Sequence, residues 1–325
     1  SGGGKIARYF STVDYLSYRG FIKPDNIVKD YSSQWKYSKL NIRTNVDVDL
    51  TKSTLLSFKM SGMLTEHNRP NPLTNDLISM LYNTPSAAFP IKTPYGEWGG
   101  SDIWTRNPVA EVTAKGYARA HQRLLFSDMS IKQNLDVLLK GLSADVRIAY
   151  DNFCEYWDNY GMNYAYAVPN VPNPSSSDDY VIKGESTSAS FSSSLGNQWS
   201  RFNLWGRLNY NNSWEQHKLD VTLGASREQS IFNGQHNTRN RINLFGHAHY
   251  VYAGKYIADV AFSRNGSNLL PPSKRFGNFP AVSAAWIVSE ENFLKDIEAI
   301  DFLKVRASWG LNGTDLFPEA LMWNH

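Results

Sequence analysis

The sequence is short of nearly everything that identifies a catalyst or a helical membrane protein. Among 325 residues there is one cysteine, Cys154, so no internal disulfide can form and no thiolate cluster can hold a metal. Lys and Arg number 33 against 30 Asp and Glu, a net charge of +3. That balance is too even for a nucleic-acid binder or a polybasic surface anchor. No run of about 18 apolar residues occurs, which excludes a membrane-spanning helix. Hydrophobic content is 42% and mean hydropathy -0.44. Enzyme chemistry is equally sparse, and neither a catalytic residue nor a cofactor is expected. Asp178 and Asp179 sit in a Ser/Pro-rich stretch with no base spaced to help them, and read as a solvated charge pair. His247 and His249 share a strand face at i and i+2 but lack a third ligand, so no metal site is expected.

Aromatics, by contrast, are abundant at 14%, with 10 Trp, 18 Tyr and 16 Phe. An aromatic-rich soluble β-sandwich would share this composition, but so would a barrel with aromatic girdles at two membrane interfaces. Period-two alternation favours the barrel. Ile42, Thr44, Val46, Val48 and Leu50 alternate with Arg43, Asn45, Asp47 and Asp49, giving one apolar face and one charged face. The pattern returns at 202–210 and at 219–226. Further runs lie near 6–15, 54–64, 116–132, 143–152, 241–252, 256–264, 281–289 and 302–311, about eleven strands in all. Most are near the 9–11 residues that a tilted strand needs to cross hydrocarbon. The fold expected is all-β, an antiparallel transmembrane β-barrel, with residues 1–325 forming one part of it. Leu204, Leu208, Leu219, Leu223, Val46 and Val48 should then face lipid, and Arg43, Asp47, Arg207 and Asp220 the lumen.

Links between the runs alternate short and long. Short ones fall at 51–53, 138–142, 213–216 and 253–255, and long ones at 19–37, 66–115, 153–201, 228–240 and 265–279. Outer-membrane barrels place short turns in the periplasm and long loops outside. Counting 180–195 as a crossing strand would break that parity, so it is expected as a hairpin within an outer loop. Link 290–301 is the longest inner one, and Glu291 to Lys295 reads as a short helical turn. The chain opens Ser-Gly-Gly-Gly without a start methionine, and is expected to be an internal piece of something longer. The outer loops carry the candidate ligand contacts: Tyr95, Trp98 and Trp104 among glycines in one, and Trp157, Tyr160, Tyr164 and Tyr166, with Tyr156, in the next. Flat rings on polar loops suit sugar rings or peptide side chains. Packing of the loops against each other accounts for the same rings. Residues 73–82 place Leu77, Ile78 and Leu81 at helical spacing, and Asn107-Pro108 and 169–174 read as rigid loop supports.

Three runs resemble the SusC/RagA-type TonB-dependent transporters of Bacteroidetes. Asn240-Arg241-Ile242-Asn243-Leu244-Phe245-Gly246 followed by Tyr252-Ala253-Gly254-Lys255-Tyr256 is similar to that family's strand, tight turn and return strand. Phe279-Pro280-Ala281-Val282-Ser283-Ala284-Ala285-Trp286, after Arg264-Asn265-Gly266-Ser267 and Arg275-Phe276-Gly277, resembles an outer loop and its following strand. The third run is Phe302-Leu303-Lys304-Val305-Arg306-Ala307-Ser308-Trp309-Gly310-Leu311-Asn312-Gly313. The first half agrees in order through Asn45 to Thr51, Asn107-Pro108-Val109-Ala110, Gly116-Tyr117 and Lys140-Gly141-Leu142-Ser143. The resemblance implies about half of a plugged barrel of about twenty-two strands, without the plug domain or the closing strands. It also implies a place in the cell outer membrane and active uptake of oligosaccharides or peptides. A SusD-like lipoprotein would cap the barrel, with Leu77, Leu81, Phe89 and Trp104 as anchors, and a TonB–ExbB–ExbD complex would supply energy through the plug. An adhesion barrel without transport, or an iron-chelate receptor of the same superfamily, is the alternative.

Overall fold

Successive strands pair because each polar-apolar repeat finds a neighbour of matching period, and the result is one continuous antiparallel sheet. The computed structural model describes residues 1–21, 31–71, 75–232, 238–294 and 300–315, with the side chains of 75 and 76 left aside. In chain order its strands are β1 (Gly2–Gly3), β2 (Ala7–Arg19), β3 (Lys36–Thr51) and β4 (Thr54–Pro70). Helix α1 (Asn75–Asn83), the short β5 (Trp98–Gly99) and helix α2 (Pro108–Thr113) fill the next link. Then come β6 (Gly116–Asn134), β7 (Leu142–Gly161), the short β8 (Tyr166–Pro169) and β9 (Tyr180–Lys183), and β10 (Ser190–Trp214). The chain continues with β11 (His217–Phe232), β12 (Thr238–Tyr252), β13 (Tyr256–Ser267), β14 (Phe276–Ile287) and β15 (Lys304–Gly310). Twelve strands form the main sheet in the order β1-β2-β3-β4-β6-β7-β10-β11-β12-β13-β14-β15, and among the described residues its two ends do not pair. A separate three-stranded sheet, β5-β8-β9, lies in the links.

The register sorts the side chains. Val46, Phe58, Met129, Ile148 and Leu204 are successive Cα partners across β3, β4, β6, β7 and β10, one apolar row on one face. The adjacent row on the other face reads Asn45, Lys59, Asp128, Ala149 and Asn203. Leu208 pairs with Leu223 on the apolar face, while Asn211 pairs with Asp220 on the polar one. Polar-face charges are answered locally: Arg207 and Asp145 meet at 3.0 Å, Arg8 and Asp49 at 2.9 Å, and Arg147 bonds Asp128.

At the short-turn end of the apolar face a belt of rings runs from strand to strand. Trp214 stacks on His217, His217 meets Tyr252, Tyr252 stacks on Tyr256, and Tyr256 stacks on Trp286 at centroid distances of 5.5, 4.9, 6.2 and 6.5 Å. Glu291 accepts from the Tyr256 hydroxyl at 2.7 Å and from Trp286 Nε1 at 3.0 Å. The inner turns are tight. Gly141 has φ of +88°, and a Cβ there would lie 1.8 Å from the Asn211 carbonyl oxygen, so only glycine closes the link between β6 and β7.

One expectation about these links needs correction. Residues 190–195 are not a loop hairpin but the outward end of β10, paired with β7. Only 180–183 pairs within the outer link, in the small sheet. The turn at 291–295 is preceded by a 3-10 turn at Val288–Glu290, and residue 295 lies outside the described residues. Several strands are also longer than a membrane crossing needs. β10, with 25 residues, is more than twice the length that a tilted crossing requires. Buried apolar side chains therefore collect away from the sheet centre, at the long-link end, in Leu77, Ala110, Val112, Ala167 and Val168.

Single cysteines at Leu204, Leu219, Arg207 and Asp220 of the full-length protein, with Cys154 replaced by serine, test the register. A water-restricted maleimide should label the last two and spare the first two. The reverse pattern would place the sheet one residue out of register.

Candidate functional site

Two structures occupy the long-link end. The first is a tied loop core. Asn107 precedes Pro108, and its Oδ1 accepts from the amides of Val109 at 3.1 Å and Ala110 at 3.3 Å, which starts α2. The same side chain donates through Nδ2 to the carbonyls of Ile91 and Gly99, both at 2.9 Å, and the Asn107 amide donates to the Tyr164 hydroxyl at 3.1 Å. Tyr164 donates in turn to Glu111 Oε1 at 3.0 Å, while Arg106 and Lys115 reach the same carboxylate at 2.8 and 3.2 Å. Burial acts to raise the Glu111 pKa, but the Arg106 hydrogen bond, the charge of Lys115 and the Tyr164 bond outweigh it and hold the carboxyl below its ordinary range. Burial, helped by the neighbouring Glu111 charge, pushes the Tyr164 hydroxyl up, so it remains a donor. Asn107 and Glu111 are 1% and 3% exposed, which makes this a fully paired polar core.

The second is a row of rings on the polar face. Tyr18 stacks on Tyr37 at 5.1 Å, and His67 meets Tyr37, Trp35 and Trp157 at 6.3, 5.8 and 6.0 Å. The Arg69 guanidinium lies 4.1 Å from the centre of the Trp157 ring, a cation–π contact. Trp157 Nε1 donates to Glu155 at 3.1 Å, and Gln122 bonds the other oxygen of that carboxylate. Between the outer ends of β4 and β7, strand β6 places Ala118 and Ala120 on this face, 1% and 0% exposed. Their small side chains let rings from strands on either side meet above them. Trp35 Nε1, His67 Nε2 and Arg69 Nε are buried without a hydrogen-bond partner. The loop core leaves no such orphans at Asn107, Glu111 or Tyr164.

The expected contact residues fall into three groups. Trp98, Tyr164, Tyr166 and Tyr95 belong to the tied loops: Trp98 faces Tyr164 edge-on at 6.3 Å and carries Lys92 4.7 Å above its ring. It also pairs with Tyr166 between β5 and β8. Tyr95 donates to the Ser175 carbonyl at 2.7 Å. Trp104 sits half-buried beside them in a turn closed by Ser101. Trp157 and Tyr160 are not in a loop, because β7 stays paired with β6 and β10 as far as Gly161. They point opposite ways, Trp157 to the polar face and Tyr160 to the apolar face, where it stacks on Tyr117 at 4.6 Å and meets Phe191 at 5.1 Å. Among the expected lipoprotein anchors, Leu77 is 1% exposed and packs inside the chain, so it offers nothing to a partner. Ile78, Leu81, Tyr82, Ile91 and Ile103 are exposed apolar residues of that rim. The polar-face residues Tyr18, Tyr37, His67 and Arg69 were missed. Their signal was the alternation of β3 and β4 running past the membrane length, with His67 and Arg69 at i and i+2. Asp179 caps its own turn, accepting from the amides of Ser175 and Ser176, and His249 bonds Asp259 at 2.7 Å.

No family model matches the chain. A protein named TonB-dependent receptor from Formosa agariphila is 23% identical over 343 residues, 97% of this chain and 30% of that protein. TonB-dependent receptor SusC of Bacteroides thetaiotaomicron is 31% identical over 101 residues, 31% of this chain and 10% of SusC. Among solved structures, the RagAB peptide importer in its closed-closed state superposes with a TM-score of 0.58 at 11% identity, covering 95% of this chain and 35% of that one. The chain thus spans about a third of the length of the proteins it matches over nearly all its residues. Homologues over most of the chain are TonB-dependent receptors, and the resemblance to the SusC/RagA branch drawn from its motifs stands.

In the full-length protein, Asn107→Ala should cost the loop core about 1–3 kcal/mol, since it leaves several buried groups unpaired. Limited proteolysis within 84–107 and 162–189 should accelerate while the barrel keeps its heat-modifiable migration. Because the Glu111 pKa is depressed on folding, its contribution is complete above the ordinary carboxylate range and is lost as pH falls. Protease resistance of these loops should decline below about pH 4, and Glu111→Gln should flatten that dependence.

Proposed function

We propose that this chain, whose homologues are TonB-dependent receptors, is the part of an outer-membrane uptake barrel that carries one wall of the lumen and the outer rim above it. The observation behind the reading is the register. Across eleven long strands it sends charge to one face and apolar side chains to the other, with a ring belt at one end and the long links at the other. A sheet of that kind is stable where one face meets hydrocarbon and the other meets water. In the whole protein the remaining strands close the sheet, since its two edges otherwise leave unpaired backbone groups in lipid. A plug domain outside this chain connects the lumen to a TonB–ExbB–ExbD complex that supplies the energy.

The substrates are oligosaccharides or peptides, and the contact surface is the ring row on the polar face. Trp157, Tyr37 and Tyr18 present flat apolar faces, and Glu155, Gln122 and Arg69 supply polar groups beside them. Tyr95, Trp98, Trp104, Tyr164 and Tyr166 then act by fixing the loop that overhangs this row, and Tyr160 by packing β7 from outside. A SusD-like surface lipoprotein covers the rim, and exposed Leu81, Tyr82 and Ile103 are the side chains it buries.

Uptake measured as growth on a limiting substrate separates these roles. Trp157→Ala should weaken uptake by the loss of about 0.5–1.5 kcal/mol of stacking with loop proteolysis unchanged, whereas Tyr160→Ala should leave uptake at the wild-type level. Equal growth of both variants would remove Trp157 from the substrate path. Mild-detergent isolation of the full-length protein should recover one surface lipoprotein in near-equal amount, and Tyr82→Asp with Ile103→Asp should deplete it. Recovery of the barrel alone would remove the lipoprotein from the reading.

A further inference from the structure

Strand β15 leaves the sheet early, and the cause lies in its partner. Gly310 pairs with Ala281, and the Leu311 amide then donates to the Pro280 carbonyl at 2.9 Å. A residue of an antiparallel strand aims its N–H and C=O at the same neighbour, so the Pro280 nitrogen, which carries no hydrogen, also faces β15. The Leu311 carbonyl gains no donor from it, and the ladder stops while β14 continues outward to Phe276. Residues 311–315 turn instead onto the polar face, as a strap that crosses β14 and β13 and reaches Arg241 on β12. Gly313 lies against Phe279, where a Cβ would come within 2.5 Å of the ring. At the far end the Asp315 carboxylate accepts from Nε and Nη2 of Arg241 at 2.8 and 2.9 Å, a paired grip. Ser267, 8% exposed, bonds the same carboxylate through its side chain.

The strap divides a hollow in this wall. A cavity of about 500 Å³ reaches Arg241 and another of about 440 Å³ reaches His247, and Asn265, Phe279 and Gly313 line both. With Asp315 set aside, the charged side chains of the first cavity are Arg241, Lys274 and Arg275 against Glu228 alone, which is 3.5 Å from Arg241. Asn243, on the same lining, keeps its Oδ1 buried without a hydrogen-bond donor, so the strap covers the wall without satisfying it. Phe245 and Phe279 flank Ser263 from the two neighbouring strands, apolar rings on an otherwise polar face. We propose that Arg241 and Ser267 form a carboxylate-binding position that the chain fills with its own Asp315, so that a carboxylate-bearing solute displaces the strap and joins the two cavities. A guanidinium that holds one carboxylate by two bonds holds another in the same way. The tethered Asp315 competes at an effective concentration on the order of millimolar, so only a solute that also gains contacts with the rings or with Asn243 displaces it. The inference rests on the reading that the polar face lines an uptake lumen, and it narrows the solute to an acidic one.

Calorimetry on the full-length protein in detergent tests the site, with trigalacturonate against its methyl ester and trialanine against its C-terminal amide as probes. Asp315→Asn should bind an acidic probe at least about tenfold tighter than the wild type, because the competitor is gone, and Arg241→Gln at least about tenfold more weakly. Preference for the sugar acid or for the peptide acid identifies the source of the carboxylate, and either result supports the site. An anchor that merely holds the chain together predicts no tightening in Asp315→Asn. Unchanged affinity in that variant, equal affinity for acidic and neutral probes, or no binding at all would overturn the proposal. A second measurement leaves the latch intact: nitroxides on Asn312→Cys and Lys59→Cys, with Cys154 replaced by serine, should give one distance alone and a second population when the acidic probe is added. An unmoved distance would also overturn it. Dependence of uptake on TonB is measured separately, and its loss would defeat the functional reading, whereas TonB-dependent uptake with an immobile strap defeats only this site.

Discussion

Everything in this molecule depends on an unbroken antiparallel register. Each long interior strand has its backbone groups answered by a neighbour on both sides, and the period of two then sends side chains to alternate faces without exception over the membrane length. A slip of one residue between any pair would carry Arg43, Lys59 or Arg207 to the hydrocarbon side. The register relaxes where the cost is lower, on the outer extension of β10. There the ladder shifts between Leu195 and Asn197, and a Cβ on the intervening Gly196 would lie 2.4 Å from the Glu155 carboxylate. Beyond the bulge, Phe191 and Leu195 stand opposite Tyr160 and Tyr156 on the apolar face.

The same long strands also build the surface at the long-link end. Because β4, β6, β7 and β10 continue well past a membrane thickness, the lumen wall extends outward as a paired sheet, and rings placed on it are held by ladder hydrogen bonds and not by loops. Trp157 owes its place to this extension, and Ala118 and Ala120 give it room to meet His67 and Arg69. Loops contribute differently. Their core of Asn107, Glu111 and Tyr164 is fully hydrogen-bonded, which ties the links together. The two regions therefore differ: one leaves buried nitrogens unpaired beside half-buried rings, and the other has its buried polar groups paired.

The two faces of the sheet are also unequal in how they treat charge. On the polar face Arg8, Arg147, Arg207 and Arg241 each have a carboxylate within reach, as with Arg207 and Asp145 or Arg241 and Asp315. On the apolar face Arg119, Arg123 and Arg264 lie over the rings of Tyr117, Tyr156 and Phe276 instead.

By itself the sequence determined the strands, their faces and the side on which the long links lie, because alternation and turn length are local properties that survive in any antiparallel neighbourhood. The α2 start was also legible, in an asparagine followed by proline. The sequence did not reveal that Trp157 and Tyr160 face opposite ways, since that needs the end of β7 to be known, and the end is set by how far β6 and β10 keep pairing with it. Nor did it reveal that Leu77 is interior, or that Tyr18, Tyr37, His67 and Trp157 form one row. Those residues are as many as 139 positions apart in the chain. Only the stagger of four different strands brings them side by side, and stagger is a property of the assembled sheet and not of any segment within it.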